Sequence, residues 1–98
     1  MKDPVLEQII QTGIKHHAQR IFLFGSRGRR DHKTTSDYDI AIEGSFDTNL
    51  KKTLFVDEIE AIETLKKFDV VFMDDALGST LEENIRRDGV VIYESEQD

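Results

Sequence analysis

Asp37-Tyr38-Asp39 sets two carboxylates two positions apart. Alternate side chains of an extended strand point the same way, so Asp37 and Asp39 share a face. Two acids side by side repel one another, and a bound cation relieves that cost. Magnesium suits such a pair, because it takes one or two carboxylates and completes its shell with water and phosphate oxygens. Taken alone, Asp-x-Asp reads more simply as two solvated acids at the start of a strand. Phe24-Gly25-Ser26 adds a second piece. A glycine after an apolar run lets the backbone come close to a ligand, and the Ser26 hydroxyl and N–H suit phosphate oxygens. A serine cap on an ordinary turn uses the same residues. Asp69 is the third piece. It sits in the apolar run Phe68 to Met73, expected to be central in the sheet, where an acid is costly unless paired, metal-bound or at the strand's watery edge. If its strand neighbours that of Asp37 and Asp39, three carboxylates meet.

The elements that would position these residues follow from periodicity. Asp3-Pro4 is a helix-start signal, and Leu6, Ile9 and Ile10 follow at helical spacing. That helix ends at Gly13 or runs on to about Ala18. Residues 20–24 read as a short buried strand. A polar loop runs to Ser36. In residues 37–43, Asp37, Asp39, Ala41 and Glu43 take one face and Tyr38, Ile40 and Ile42 the other, which predicts a strand with one buried face. After a loop over 44–48, a long amphipathic helix is expected from Asn49 to Lys67, with Phe55, Ile59, Ile62 and Leu65 on its apolar stripe. Residues 68–73 predict a third strand, closed by a turn at Asp74-Asp75. Ser79 or Thr80 caps a last helix, and Thr80 with Glu83 fits a capping box. Gly89 ends that helix, Val90 to Tyr93 predicts a fourth strand, and the acidic tail is expected to fray. The loop between the first two strands is too short for a crossover helix with its linkers, so those strands should pair antiparallel. The later helices permit parallel crossovers. The expected fold is α/β of the α+β kind, a small mixed sheet flanked by helices, with residues 1–98 as a single domain.

Composition narrows the function. The chain has 98 residues, enough for one small core. It is 38% hydrophobic and 34% charged, which fits a globular domain with a heavily solvated surface. The absence of cysteine excludes disulfides, thiolate metal sites and a thiol nucleophile. No apolar run is long enough to span a bilayer and the N-terminus lacks a secretory core, so a cytoplasmic location and no membrane partner are expected. A net charge of −7 argues against a broad grip on nucleic acid. Against that balance, Arg27, Arg29, Arg30, His32 and Lys33 crowd one loop, suggesting a local anion site for a polyphosphate. His16-His17 reads as a polar helix end, since adjacent histidines do not share a helix face. Tyr38 and Tyr93 read as packing residues with a polar tip.

Residues 22–44 resemble the core motif of the minimal nucleotidyltransferases, which belong to the DNA polymerase β-like superfamily. That motif is Gly-Ser, a spacer of about ten residues, Asp-x-Asp, and a third acid on a later strand. Here Gly25-Ser26 is followed by residues 27–36 and then Asp37-Tyr38-Asp39, with Asp69 as the third acid. The element order and chain length match as well. One departure is Gly28-Arg29-Arg30, where the family has a small residue, arginine and glycine; every presumed metal ligand is kept. The resemblance implies a polymerase-β-like fold, a nucleoside triphosphate substrate, ATP above others, and two Mg2+ ions. Asp37 and Asp39 would hold both ions, and Asp69 would ligate the one beside the acceptor hydroxyl and help remove its proton. Gly25 and Ser26 would cradle the terminal phosphates, with Arg27 and Arg29 neutralising the leaving group. It further implies a nucleotidyltransferase that moves AMP onto a hydroxyl, such as a tyrosine of a helical HEPN-family partner, as the antitoxin of a toxin–antitoxin pair. The alternative is a nucleotide-binding module, weak or inactive in catalysis, that neutralises its partner by contact.

Overall fold

The computed structural model describes residues 3–25 and 37–96. Helix α1 spans Pro4–Lys15 and strand β1 Ala18–Phe24. Strand β2 spans Tyr38–Gly44, helix α2 Asn49–Glu60 and strand β3 Phe68–Phe72. A 3-10 turn at Met73–Ala76 leads to helix α3, Thr80–Asp88, and strand β4, Val90–Glu94. The sheet order is β3-β2-β1-β4. β1 pairs antiparallel with both β2 and β4, while β2 and β3 run parallel. The expected small mixed sheet flanked by helices, including the antiparallel first pair, is what forms.

Both faces of the sheet are covered. On one face Ile21, Leu23, Tyr38, Ile40, Ile42 and Phe72 pack with Ile9 of α1 and with Phe55 and Ile59 of α2. On the other face Phe22 and Ala41 pack with Met73 and with Ile85 of α3. The second cluster exists because β3 and β4 are opposite edges, so α3 must cross the sheet between them. β2 was expected to bury a single face. Ala41, on its acid-bearing face, is in fact fully buried.

Three further expectations change. The helix expected over 49–67 stops at Glu60, and Ala61 serves as its cap. Ile62 donates its N–H to the carbonyl of Ile59, tightening the last turn, and the chain turns back to enter β3. Leu65, assigned to the apolar stripe, lies beyond that end and is fully solvent-exposed. β3 is an edge strand rather than a central one. The last helix is capped by Ser79, whose hydroxyl accepts the Glu82 N–H at 3.1 Å. Glu82, not Glu83, reaches back, accepting the Gly78 N–H at 2.8 Å, so the capping pattern sits one residue earlier than Thr80-Glu83. At the first helix, Asp3 caps α1 and His16 closes it, three residues past Gly13. Gly13 is buried within the helix, where a β-carbon would collide with Ile21.

Candidate functional site

The C-terminal end of β1 lies beside the N-terminal ends of β2 and β3, because Phe24 pairs with Asp39 and Asp39 pairs with Asp69. Side-chain alternation then sorts the faces. Asp39 lies two residues before Ala41, and Asp69 two residues before Val71, and both of those belong to the cluster under α3. Asp39 and Asp69 therefore stand side by side on the same face, one strand spacing apart, about 4.8 Å. As an edge strand, β3 leaves Asp69 exposed, so its carboxylate carries none of the burial cost expected of a central position. Asp37 precedes the strand and is exposed; its Oδ1 accepts the Lys67 N–H at 3.3 Å.

The electrostatics of this corner are those of acids crowded together. The Asp39 carboxyl is pushed above its ordinary range, first by partial burial, then by the charges of Asp69 and Asp37. Both acids are thus close enough to act on it. At the far end of the same face of β2, Glu43 has different company. It accepts from Arg20 Nη1 at 3.1 Å and from Arg86 Nη2 at 2.7 Å.

Gly25 follows β1 with φ +69°, a left-handed conformation that side-chain-bearing residues avoid. A β-carbon there would run into the Asp39 carboxylate oxygen Oδ2. Glycine is thus required twice over, by its backbone and by its contact with the acid. Ser26, Arg27 and Arg29, together with the Arg30 departure, lie outside the described residues.

Beside Gly25, a hollow of about 190 Å³ opens between β1 and α3, lined by Phe24, Leu81, Asn84, Ile85 and Asp88. That is smaller than the roughly 300–1,000 Å³ of pockets that enclose a drug-sized ligand. Among the described residues, no group of three or more acids, histidines or cysteines forms a ready-made metal cage. The donors do fit magnesium, which needs one or two carboxylates and leaves the remaining positions to substrate phosphates. Among the described residues, repulsion around Asp39 is the electrostatic condition that a cation would relieve. His16 and His17 provide no second metal pair: His16 packs edge-on against Phe55, and His17 sits in the turn after α1 at φ +61°.

Sequence reasoning treated Tyr38 as a packing residue and overlooked Asp3 as its partner. The Tyr38 hydroxyl donates to Asp3 Oδ2 at 2.8 Å across 35 positions of sequence. Strand alternation told which way the ring faces, but no local signal names a partner so distant.

Residues 7–98 match the family model described as polymerase beta, nucleotidyltransferase. No curated protein matches the chain by sequence. Among solved structures, a toxin–antitoxin complex with AMP-PNP superposes with a TM-score of 0.70 at 22% identity, covering 95% of this chain and 76% of that one. A mutant of the MntA–HpeT toxin–antitoxin pair gives 0.68 at 21% identity, over 95% of this chain and 75% of that one. A candidate nucleotidyltransferase from Sulfolobus solfataricus gives 0.57 at 20% identity, over 96% and 84%. No described helix is long and apolar enough to cross a membrane.

Proposed function

Because the chain belongs to the polymerase beta nucleotidyltransferase family, we propose that it transfers AMP from ATP to a hydroxyl group, using Asp37, Asp39 and Asp69. The observation that carries this reading is the in-register pairing of Asp39 with Asp69 beside Gly25, with the Asp39 carboxyl raised by partial burial and then by its acidic neighbours. Asp37 and Asp39 would hold magnesium together with the triphosphate oxygens, and Asp69 would ligate the ion beside the acceptor. When bound, the metal supplies charge neutralisation for the phosphate oxygens on which negative charge builds during transfer.

The remaining work falls to the chain itself. Gly25, having no side chain, lets phosphate oxygens come within reach of the backbone beside Asp39. Asp69, exposed at the sheet edge, faces the side from which an acceptor can approach. Its carboxylate orients the acceptor hydroxyl and takes its proton as the oxygen attacks the α-phosphorus. The bond from the α-phosphorus to its bridging oxygen breaks, and pyrophosphate leaves. Ser26, Arg27 and Arg29 follow Gly25 directly, and we assign them the terminal phosphates on the strength of the motif alone.

The acceptor belongs to a partner. A second protein presents the hydroxyl, on the strength of the sequence resemblance. Structural likeness to toxin–antitoxin complexes supports a toxin as that partner, and the sequence resemblance points to a helical HEPN protein modified on tyrosine.

The test is to incubate the chain and its co-purified partner with α-labelled ATP and Mg2+, then map the label by mass spectrometry. We expect label on a partner tyrosine, lost with EDTA and in the double variant Asp37→Asn, Asp39→Asn. Absence of transfer to any protein, with partner neutralisation unchanged in that variant, would establish the contact-only module instead.

A further inference from the structure

Tyr38 lies between Asp37 and Asp39 in sequence but points to the opposite face of β2, where it is 3% exposed. Three contacts hold it there. Its hydroxyl donates to Asp3 Oδ2 at 2.8 Å. Its backbone N–H donates to the Lys67 carbonyl at 3.0 Å. Its ring stacks on Phe68 with centroids 5.5 Å apart and planes 24° from parallel. Asp3 is itself anchored, since its other oxygen accepts the N–H groups of Val5 and Leu6 at the start of α1.

Phe68 stands to Asp69 as Tyr38 stands to Asp39, and the two aromatics are register partners, as are the two acids. The stacked rings therefore span the same two strands as the acids, one residue earlier and on the reverse side. We propose that Tyr38 and Phe68 are positioning residues that set the separation of Asp39 and Asp69, with Asp3 as the fixed point to which the pair is tied. This rests on the assignment of those carboxylates to a metal. It goes beyond that assignment by locating what fixes the spacing of the two strands where the acids stand. A strand edge alone would hold the spacing poorly here, because β3 has a neighbour on one side and Asp69 is open to water.

The mechanism predicts a graded series. Tyr38→Phe keeps the stack and loses the tie to Asp3. Phe68→Leu and Tyr38→Leu keep an apolar group and lose the stack. Ile59→Val, in the same core but on α2, perturbs packing while leaving the ring stack and the tie to Asp3 intact, and serves as the control. Mn2+ binding in the presence of a non-hydrolysable ATP analogue is read by electron paramagnetic resonance, alongside thermal unfolding. We expect the leucine variants to weaken Mn2+ binding about tenfold, as supporting-residue changes around metal sites do. Tyr38→Phe should fall between these and the wild type, and the control should lower the unfolding midpoint without moving the Mn2+ constant. In turnover, kcat should fall with the KM for nucleotide little changed at saturating metal.

Leucine variants that bind Mn2+ as the wild type does, or no more weakly than the control, would overturn the positioning role and leave the proposed function standing. Weakened binding in those variants, with no nucleotide transfer by the wild type, would retain the positioning role and sink the enzyme. A wild-type chain that binds no Mn2+ would overturn both.

Discussion

Glu43 and Asp39 stand on the same face of β2, four residues apart, and meet opposite company. Glu43 is held by two arginines, and Asp39 is pressed by two acids. The sign of the resulting pH dependence follows from the raised Asp39 carboxyl. A group that binds its proton more tightly when folded favours the fold at acid pH, and that contribution is lost as pH rises through the folded value. Ionised Asp39 therefore weakens the metal-free protein at neutral pH. Replacing it by asparagine should raise the unfolding midpoint at pH 7 in EDTA. The group is only partly buried, at the open end of the sheet, so screening limits the gain to about 0.5 kcal/mol, or about 2–4 °C. The gain should shrink as pH falls through the raised Asp39 value and the wild-type acid takes up its proton, and reverse in sign at pH 7 once Mg2+ and nucleotide are added. A variant no more stable than wild type in EDTA at any pH would show that the three acids do not repel. At this scale much was legible beforehand. Residue type and alternation sufficed to put Asp39 on a chosen face, and glycine after a buried strand sufficed to mark Gly25. The Asp3–Tyr38 bond was not legible, because it depends on where α1 docks.

Helix α3 shows what local signals decide among elements and what they leave open. Sequence admitted either Ser79 or Thr80 as its cap. In the structure Ser79 is extended, at φ −93° and ψ 164°, and its hydroxyl accepts the Glu82 N–H, while Thr80 is the first helical residue. Ser79→Ala should therefore cost about 1 kcal/mol, or about 4–8 °C in unfolding midpoint. Thr80→Ala should stay within about 0.5 kcal/mol of wild type. Equal losses in urea titrations of the two variants would contradict the cap assignment. The end of α3 was also legible, though for a reason the sequence conceals. Gly89 is not left-handed, at φ −70°, and instead a β-carbon there would press on the Ile85 carbonyl. Helix α2 was overextended by seven residues because its apolar periodicity continues through Ile62 and Leu65. Periodicity cannot register that the chain must turn to bring Asp69 alongside Asp39.

Across the whole molecule the two sheet faces are unequal. The face under α1 and α2 carries the larger core, with Phe46, Phe55 and Phe72 meeting ring to ring at 5.1 to 6.1 Å. The face under α3 has a small cluster that gives way to acids at one end and to the Arg20–Glu43–Arg86 pairing at the other. Strand order could not be read from local pattern, since an apolar run such as Phe68–Met73 looks the same in the centre of a sheet as at its edge. Placing β3 at the edge makes the acid end of the sheet open on one side, and among the described residues Asp37 and Asp69 both press on Asp39 there. A ligand that brings cations to that corner should stabilise the entire fold, because it binds the folded state and not the unfolded chain. At one hundred times its dissociation constant such a ligand adds about 2.7 kcal/mol, which for a domain of this size raises the unfolding midpoint by about 10–20 °C. Mg2+ with a non-hydrolysable ATP analogue should give that rise. Mg2+ alone should give much less, because two carboxylates leave most of its coordination to phosphate. The analogue alone, in EDTA, should leave the midpoint unchanged, since its negative charge beside Asp37, Asp39 and Asp69 keeps it from binding. Differential scanning fluorimetry across the four combinations separates these cases, and a full rise from the analogue in EDTA would place the nucleotide away from the acids altogether.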